Sequence, residues 1–303
     1  MAKLDRLVWA DGMAFTAYGV RIGVRVNNKT TLKALVERLP PGARPVHATT
    51  TNHLYSMTGF ANGSSGRVAR FNLGYWNLSR FARTRSFDDL LEQFESHLQL
   101  TVAEYAPRRV FVHAGVVGWK GKAILIPGLS FSGKSTLVAE LLRAGATYYS
   151  DEYAVIDADG RVHPYARDLR MRSADAVRIK RMRAADFGVA TGSRPLPIAL
   201  VLSTTFKEGS RWRPRELTQG KSVLELLANT VSARSQPEMA LSFLTKAVHS
   251  AASFKGVRGE ASEIVDWLAR VDLSGPKGRN VIAPTVRSAW ACEKTVAKSE
   301  GSG

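Results

Sequence analysis

An α/β fold is what the sequence predicts: a P-loop-containing core preceded by a smaller α+β domain. Three observations predict it. Residues Gly128, Leu129, Ser130, Phe131, Ser132, Gly133, Lys134, Ser135 and Thr136 spell G-x-x-x-x-G-K-S-T, a loop whose backbone amides cradle phosphates. The apolar run Ala123–Pro127 directly before it reads as a buried strand, and Leu137, Val138, Leu141 and Leu142 directly after it have helical spacing. Further strand-like runs flank this unit, at Val110–Val112, Ala146–Ser150 and Ile198–Leu202, with helical patterns between them.

In the N-terminal region, residues 15–27 read as one strand, because Val20, Ile22, Val24 and Val26 alternate with Gly19, Arg21, Gly23 and Arg25. A short helix is predicted over 30–38, stopped by Pro40-Pro41-Gly42. Strands follow near 52–58 and 67–76, separated by the turn-rich 61–66. Ser86 opens an amphipathic helix with Phe87, Leu90, Leu91, Phe94, Leu98 and Tyr105 on one face, and Pro107 ends it. Asp88 and Asp89 in its first turn suit the helix dipole. His47, His53 and His97 lack metal-ligand spacing and read as surface or core histidines.

The core begins with a hairpin over 109–127. A two-residue turn at Lys120-Gly121 sets Trp119 opposite Lys122 and, counting outward, His113 opposite Gly128. A helix over 134–144 with Gly145 as its stop leads to the strand 146–150. So short a return is expected to lay that strand beside Ala123–Pro127, bringing Asp151 and Glu152 to the phosphates. Tyr153–Ile156 and Arg161–His163 form a second hairpin. The basic stretch Arg167, Arg170, Arg172, Arg178, Lys180, Arg181 and Arg183 reads as a grip for phosphate or acidic peptide, or as an exposed helix face, the latter favoured. Helices are predicted at 220–232, 237–252 and 260–270. Residues 298–303 are expected to be disordered. The domains are thus 1–106, α+β, for substrate or partner recognition; 107–272, the P-loop domain; and 273–303, an extension.

Composition narrows the classes. The 303 residues suffice for one large or two smaller domains, and no stretch approaches the roughly 18 consecutive apolar residues of a membrane span. The N-terminus does not read as a secretory signal. One cysteine, Cys292, excludes an intramolecular disulfide and a cysteine zinc site, and fits a reducing, cytoplasmic setting. The net charge of +17 implies affinity for anions, or merely a habit of composition, since arginine is spread along the chain. No basic-aromatic motif of a nucleic-acid module is present.

The chemistry converges on a few groups. Lys134 reaches the β- and γ-phosphates of a nucleotide and the Ser135 hydroxyl ligates Mg²⁺. Of the two acids, one holds the metal and the other takes a proton from an attacking hydroxyl. His113, at the mouth of the loop, is a catalytic candidate or a structural histidine.

The acids follow Lys134 by only 17 and 18 positions, and His113 precedes it by 21. This compact set, His113-Ala-Gly115, Gly128–Thr136 and Ser150-Asp151-Glu152, resembles the HPr kinase/phosphorylase family over about 105–165. A more distant likeness is to phosphoenolpyruvate carboxykinases. The resemblance implies ATP and Mg²⁺ as cofactors, with Gly128–Thr136 binding the phosphates and Ser135 and Asp151 the metal. His113, Lys134, Asp151 and Glu152 are the implied catalytic residues. Glu152 stands at the family's proton acceptor, but it replaces an aspartate, so either acid is open as the base. Lys277-Gly-Arg-Asn280 is a fainter likeness. Kin of the family phosphorylate a serine on ribosomally made peptides such as lasso peptides, which implies a peptide or protein acceptor; a small-molecule alcohol is the alternative. Homo-oligomers are common in the family. A nucleotide-binding regulator without transfer chemistry and a nucleic-acid binder are the competing classes.

Overall fold

The computed structural model describes residues 2–7, 9–48, 50–60, 71–128, 132–172, 179–271 and 273. The protein is mixed α/β, with several sheets, and it divides into two compact units between Arg109 and Val110. Among the described residues no helix is long and apolar enough to cross a membrane.

The first unit opens with a single helical turn, α1 (Ala2–Asp5), and then builds a sheet from β1 (Asp11–Ala17), β2 (Val20–Val26), β3 (Arg44–Pro45), β4 (His53–Thr58), β5 (Asn72–Trp76) and β6 (Ser79–Thr84). The strand order is β3-β1-β2-β4-β5-β6. The helices are α2 (Lys29–Val36) and α3 (Phe87–Tyr105). The run 15–27 is therefore not one strand. It contains a hairpin, because Tyr18 and Gly19 both take positive φ, 51° and 87°, the geometry of a two-residue turn. Alternation in β2 puts Val20, Ile22, Val24 and Val26 in the core. In α3, capped by the Ser86 side chain, Leu90, Leu91, Phe94 and Leu98 are buried as the periodicity predicts. Tyr105 is not: it is 46% exposed, and Val102 and Ala103 are the last buried residues of the helix. His53 and His97 are packed among aromatic rings, His53 on Trp76 and Tyr105, His97 on Phe81 with its Nδ1 2.9 Å from the Tyr55 hydroxyl. Residues 61–70 lie outside the described set.

In the second unit, β7 (Val110–Trp119) and β8 (Lys122–Pro127) form a hairpin, followed by α4 (Lys134–Arg143), β9 (Thr147–Ser150), β10 (Tyr153–Ile156) and β11 (Arg161–His163). Next come β12 (Leu169–Arg172) and β13 (Ile179–Met182), then β14 (Leu196–Phe206), β15 (Arg215–Glu216), α5 (Gln219–Leu227), α6 (Pro237–Val248), β16 (Ala252–Arg258) and α7 (Ala261–Ala269). The main sheet runs β11-β10-β7-β8-β14-β16-β15, with β9 also on β7. Lys120 and Gly121 take φ of 48° and 77°, and the register is the predicted one, Trp119 on Lys122 through Ala114 on Pro127.

Four expectations fail here, the first being one helix over 220–232: α5 ends at Leu227, and Thr230 bridges to Val112 of β7. Strand β9 does not lie beside β8; it pairs antiparallel with β7, and β8's parallel neighbour is β14. The basic stretch is no helix face: β12 and β13 form an antiparallel ladder, with 173–178 outside the described residues. Residues 249–252 do not continue α6. The chain turns after Val248 and enters β16, which pairs parallel with β14.

Helices cover both faces of this sheet. On one, Leu137, Val138, Leu141 and Leu142 of α4 and Ile264 and Leu268 of α7 meet Ile124, Ile126, Leu200, Leu202 and Phe254. On the other, Val223 and Leu226 of α5 and Leu244 and Val248 of α6 meet Val110, Val112, Ala114, Leu125 and Val201. Burial on both sides is why β8 and β14 read as continuous apolar runs. Helix α4 comes close to β7 at Gly115, where an added Cβ would stand 2.6 Å from Cγ2 of Val138. Valine in a helix holds essentially one rotamer, so it cannot swing aside. Gly115→Ala should therefore lower stability by about 1–3 kcal/mol, read as a drop in the denaturant midpoint at unchanged slope; an unchanged midpoint would mean that α4 shifts freely.

Candidate active site

The carboxyl end of β8 and the amino end of α4 frame the site. Gly128 donates its N–H to the His113 carbonyl at 3.2 Å, continuing the hairpin ladder by one residue. Leu129, Ser130 and Phe131 lie outside the described residues. The turn then re-enters at Ser132, whose hydroxyl oxygen is buried without a hydrogen-bond partner. Gly133 caps α4 in the left-handed region, φ 82°, a conformation that favours glycine. Lys134 begins the helix and folds back, Nζ donating to the Gly128 carbonyl at 2.6 Å. Thr136, two residues further, is exposed.

The acids arrive by a different route from the expected one. Ser150, fully buried at the end of β9, accepts hydrogen bonds from the backbone N–H groups of Glu152 (3.2 Å) and Tyr153 (3.0 Å). That tight turn joins β9 to β10, both of which pair with β7. The acidic pair thus fills the gap between them, with Glu152 O accepting from Ala114 N–H at 3.2 Å and Tyr153 directly opposite His113. The Ser135 hydroxyl donates to Asp151 Oδ2 at 2.7 Å, while Asp151 Oδ1 is buried with no partner. The His113 ring lies 4.8 Å from the Tyr153 ring. His113, Lys134, Ser135, Asp151 and Glu152 are all half-buried and share this corner of the unit.

Proximity and burial shift their acidities. Burial raises Asp151 from 3.8 to about 6; the Ser135 hydroxyl, the Lys134 ammonium and the backbone N–H of Arg170 pull it down, and Glu152 pushes it up. Glu152 is raised as well, chiefly by burial, against the opposing pull of Arg170 and Lys134. Lys134 is lowered by burial, offset by both acids. His113 is lowered by burial and by the Lys134 charge, so the imidazole is neutral at pH 7.

Two further residues matter here: Arg170, which the sequence reading placed only within a general basic stretch, and Arg258, which it left without a role. Arg170, on β12, acts electrostatically on Glu152. Arg258, the last residue of β16, is 1% exposed and donates from Nη2 to the Gly133 carbonyl at 2.8 Å and from Nη1 to Gly259 at 2.9 Å. It thereby anchors the cap of α4 to the sheet. The only signal in the sequence is an arginine followed by glycine at a strand end, too common to single out.

Oxygen donors at this spacing suit a hard divalent cation. Ser135 Oγ and Asp151 offer a hydroxyl and a carboxylate, and the unpartnered Oδ1 is an unused lone-pair site. Among the described residues no group of three or more His, Cys, Asp or Glu could hold a metal alone. A cation on Ser135 and Asp151 would draw its other ligands from waters or a bound anion. No protein-family model matches the chain, and no curated protein matches it.

The raised acid has a consequence for stability. Asp151 binds its proton about two pH units more tightly when folded, so stability is fully present below pH 4 and is lost as pH rises to about 6. At about 1.4 kcal/mol per unit the cost at neutral pH is about 3 kcal/mol. Asp151→Asn should raise the Tm of the ligand-free protein at pH 7–8 and flatten its fall between pH 4 and 6. Thermal scans across pH that coincide for the two proteins would refute this.

Proposed function

We propose that the protein is an ATP- and Mg²⁺-dependent kinase of the HPr-kinase-like type, transferring the γ-phosphoryl group to an alcohol oxygen, most plainly a serine of a peptide or protein. The observation that carries the reading is the Ser135–Asp151 hydrogen bond, 2.7 Å across the mouth of a G-x-x-x-x-G-K-S turn. It joins the residue types that grip a phosphate to those that move a proton.

In this reading the backbone of Gly128–Thr136 and the amino end of α4 receive the phosphates, and Lys134 neutralises the β- and γ-oxygens. Its present bond to the Gly128 carbonyl gives way to phosphate. Mg²⁺, held by Ser135 and Asp151, supplies charge neutralisation on the phosphate oxygens. Glu152, whose acidity burial has weakened, accepts the proton of the acceptor hydroxyl. The hydroxyl oxygen bonds to the γ-phosphorus as the bond to the β–γ bridging oxygen breaks, and ADP leaves with that electron pair. His113, neutral, donates or accepts one hydrogen bond to orient the acid or the transferring phosphate. Positioning and charge stabilisation carry the rate.

Incubation with γ-labelled ATP and candidate peptides encoded by neighbouring genes, read by mass shift, tests the activity. Lys134→Ala and Glu152→Gln should each lower kcat by about 10²–10⁴-fold. Glu152→Gln should leave ATP affinity near wild type, whereas Lys134→Ala should weaken it. Transfer at wild-type rate in both variants, or none with any acceptor despite ATP binding, would contradict the reading.

A further inference from the structure

A cleft of about 620 Å³ opens at the carboxyl edge of the same sheet, lined by Thr205, Ser210, Arg211, Arg213, Arg215 and Lys255, among others. It lies close to the site above. Thr205 and Val257 in its wall immediately precede Phe206 and Arg258, and Arg258 holds Gly133.

The charge is arranged along an extended segment. Arg211, Arg213 and Arg215 alternate as the chain runs into β15, so they rise to one face. The intervening Trp212 turns the other way, its ring 5.9 Å from Trp267, while its backbone N–H donates to the Glu263 carboxylate at 2.7 Å. Among the described residues none of the three arginines has an ion pair, while Lys255 pairs with Glu225 at 2.5 Å. The segment is seated on β16 by glycine: a Cβ on Gly256 would stand 2.9 Å from the Arg213 carbonyl oxygen, and one on Gly259 would overlap that of Ser210.

The edge beside these arginines is open. β15 ends the strand order, pairing only with β16 among the described strands. Leu217 N–H donates inward to Ser253 at 2.8 Å, so alternation turns the N–H and C=O of Glu216 outward. Main-chain groups at an edge recognise another extended peptide. No aromatic side chain lines the cleft to stack a base, which disfavours single-stranded nucleic acid.

We propose that this cleft docks an extended, aspartate- or glutamate-rich peptide segment, which adds as a strand to the edge of β15 with its acids on Arg211, Arg213 and Arg215. The biological purpose, delivering an acceptor hydroxyl to the site around Asp151 and Glu152, rests on the kinase reading. The docking itself is measurable without phosphoryl transfer.

The test uses the full chain and a fluorescein-labelled peptide of alternating Glu and Thr, against the same peptide with Gln for Glu, by fluorescence anisotropy. The acidic peptide should bind at least about tenfold tighter, with an advantage that shrinks as salt rises. Reversing the charges in R211E/R213E/R215E should weaken it by about 10–100-fold while Mg·ATP affinity stays at the wild-type value. If the triple variant has a lowered Tm, Arg213→Gln alone carries the comparison, with about threefold loss. Glu216→Pro, which removes the outward N–H, should weaken both peptides alike. Equal binding by wild type and the arginine variants, or by the Gln peptide, overturns the proposal. So does tighter binding of a single-stranded RNA of matched charge through the same arginines. Peptide docking without Mg·ATP binding would leave this inference standing and remove the kinase reading; Mg·ATP binding without docking would do the reverse.

Discussion

One hydrogen bond joins the two halves of the candidate site: the Ser135 hydroxyl on the Asp151 carboxylate. Ser135 belongs to the first turn of α4, and Asp151 to the turn between β9 and β10. These two pieces are held independently. Arg258 and Gly133 fix the start of the helix to the end of β16. Ser150 closes the acidic turn by accepting from two of its backbone N–H groups, and strand pairing of Ser150 and Tyr153 with β7 holds that turn in place. Because each side is anchored elsewhere, the spacing between hydroxyl and carboxylate is set by the fold rather than by the bond itself. That is the condition for a site that must accept a ligand without rebuilding.

The arrangement is costly in the absence of a ligand. Two acids whose acidity burial weakens lie beside a lysine whose basicity burial weakens. Asp151 Oδ1 and Ser132 Oγ are buried without partners. A protein interior seldom tolerates so many unmet polar groups in one corner. Such clusters are characteristic of functional sites, where stability is given up for pre-organised charge. In the kinase reading proposed above, a triphosphate with its cation would bring acceptor oxygens to Ser132 and positive charge to Asp151 Oδ1.

Much of this was legible in the sequence where the determinants are local. The hairpin register followed from Lys120-Gly121, because a two-residue turn fixes every pair beyond it. Helix α3 followed from its cap and period, apart from Tyr105, which is exposed although Val102, Ala103 and the C-cap Ala106 around it are buried. What failed was non-local. A short return after α4 does not dictate which edge β9 joins, and β7 offered one that the hairpin had left open. Asp151 still reached Ser135, because β9 and β10 share that edge and their connecting turn faces the helix. Strand β16 was hidden, since Lys255 and Gly256 break its apolar pattern, and its partner β14 is about fifty positions earlier. With β16 went Arg258. The seam at 15–27 was lost because Tyr18 is a rare choice for a left-handed turn position.

The central claim is that Asp151 stands ready to meet a metal-bound phosphate, and proton release on binding tests it most directly. Titration calorimetry of Mg·ATP at pH 6, in two buffers of different ionisation enthalpy, counts the protons exchanged. With a carboxyl raised to about 6, binding at its oxygens should displace about half a proton at that pH and almost none at pH 8. Asp151→Asn should abolish the difference. Binding of Mg·ATP with the same proton count in wild type and Asp151→Asn, or no binding at all, would contradict the account.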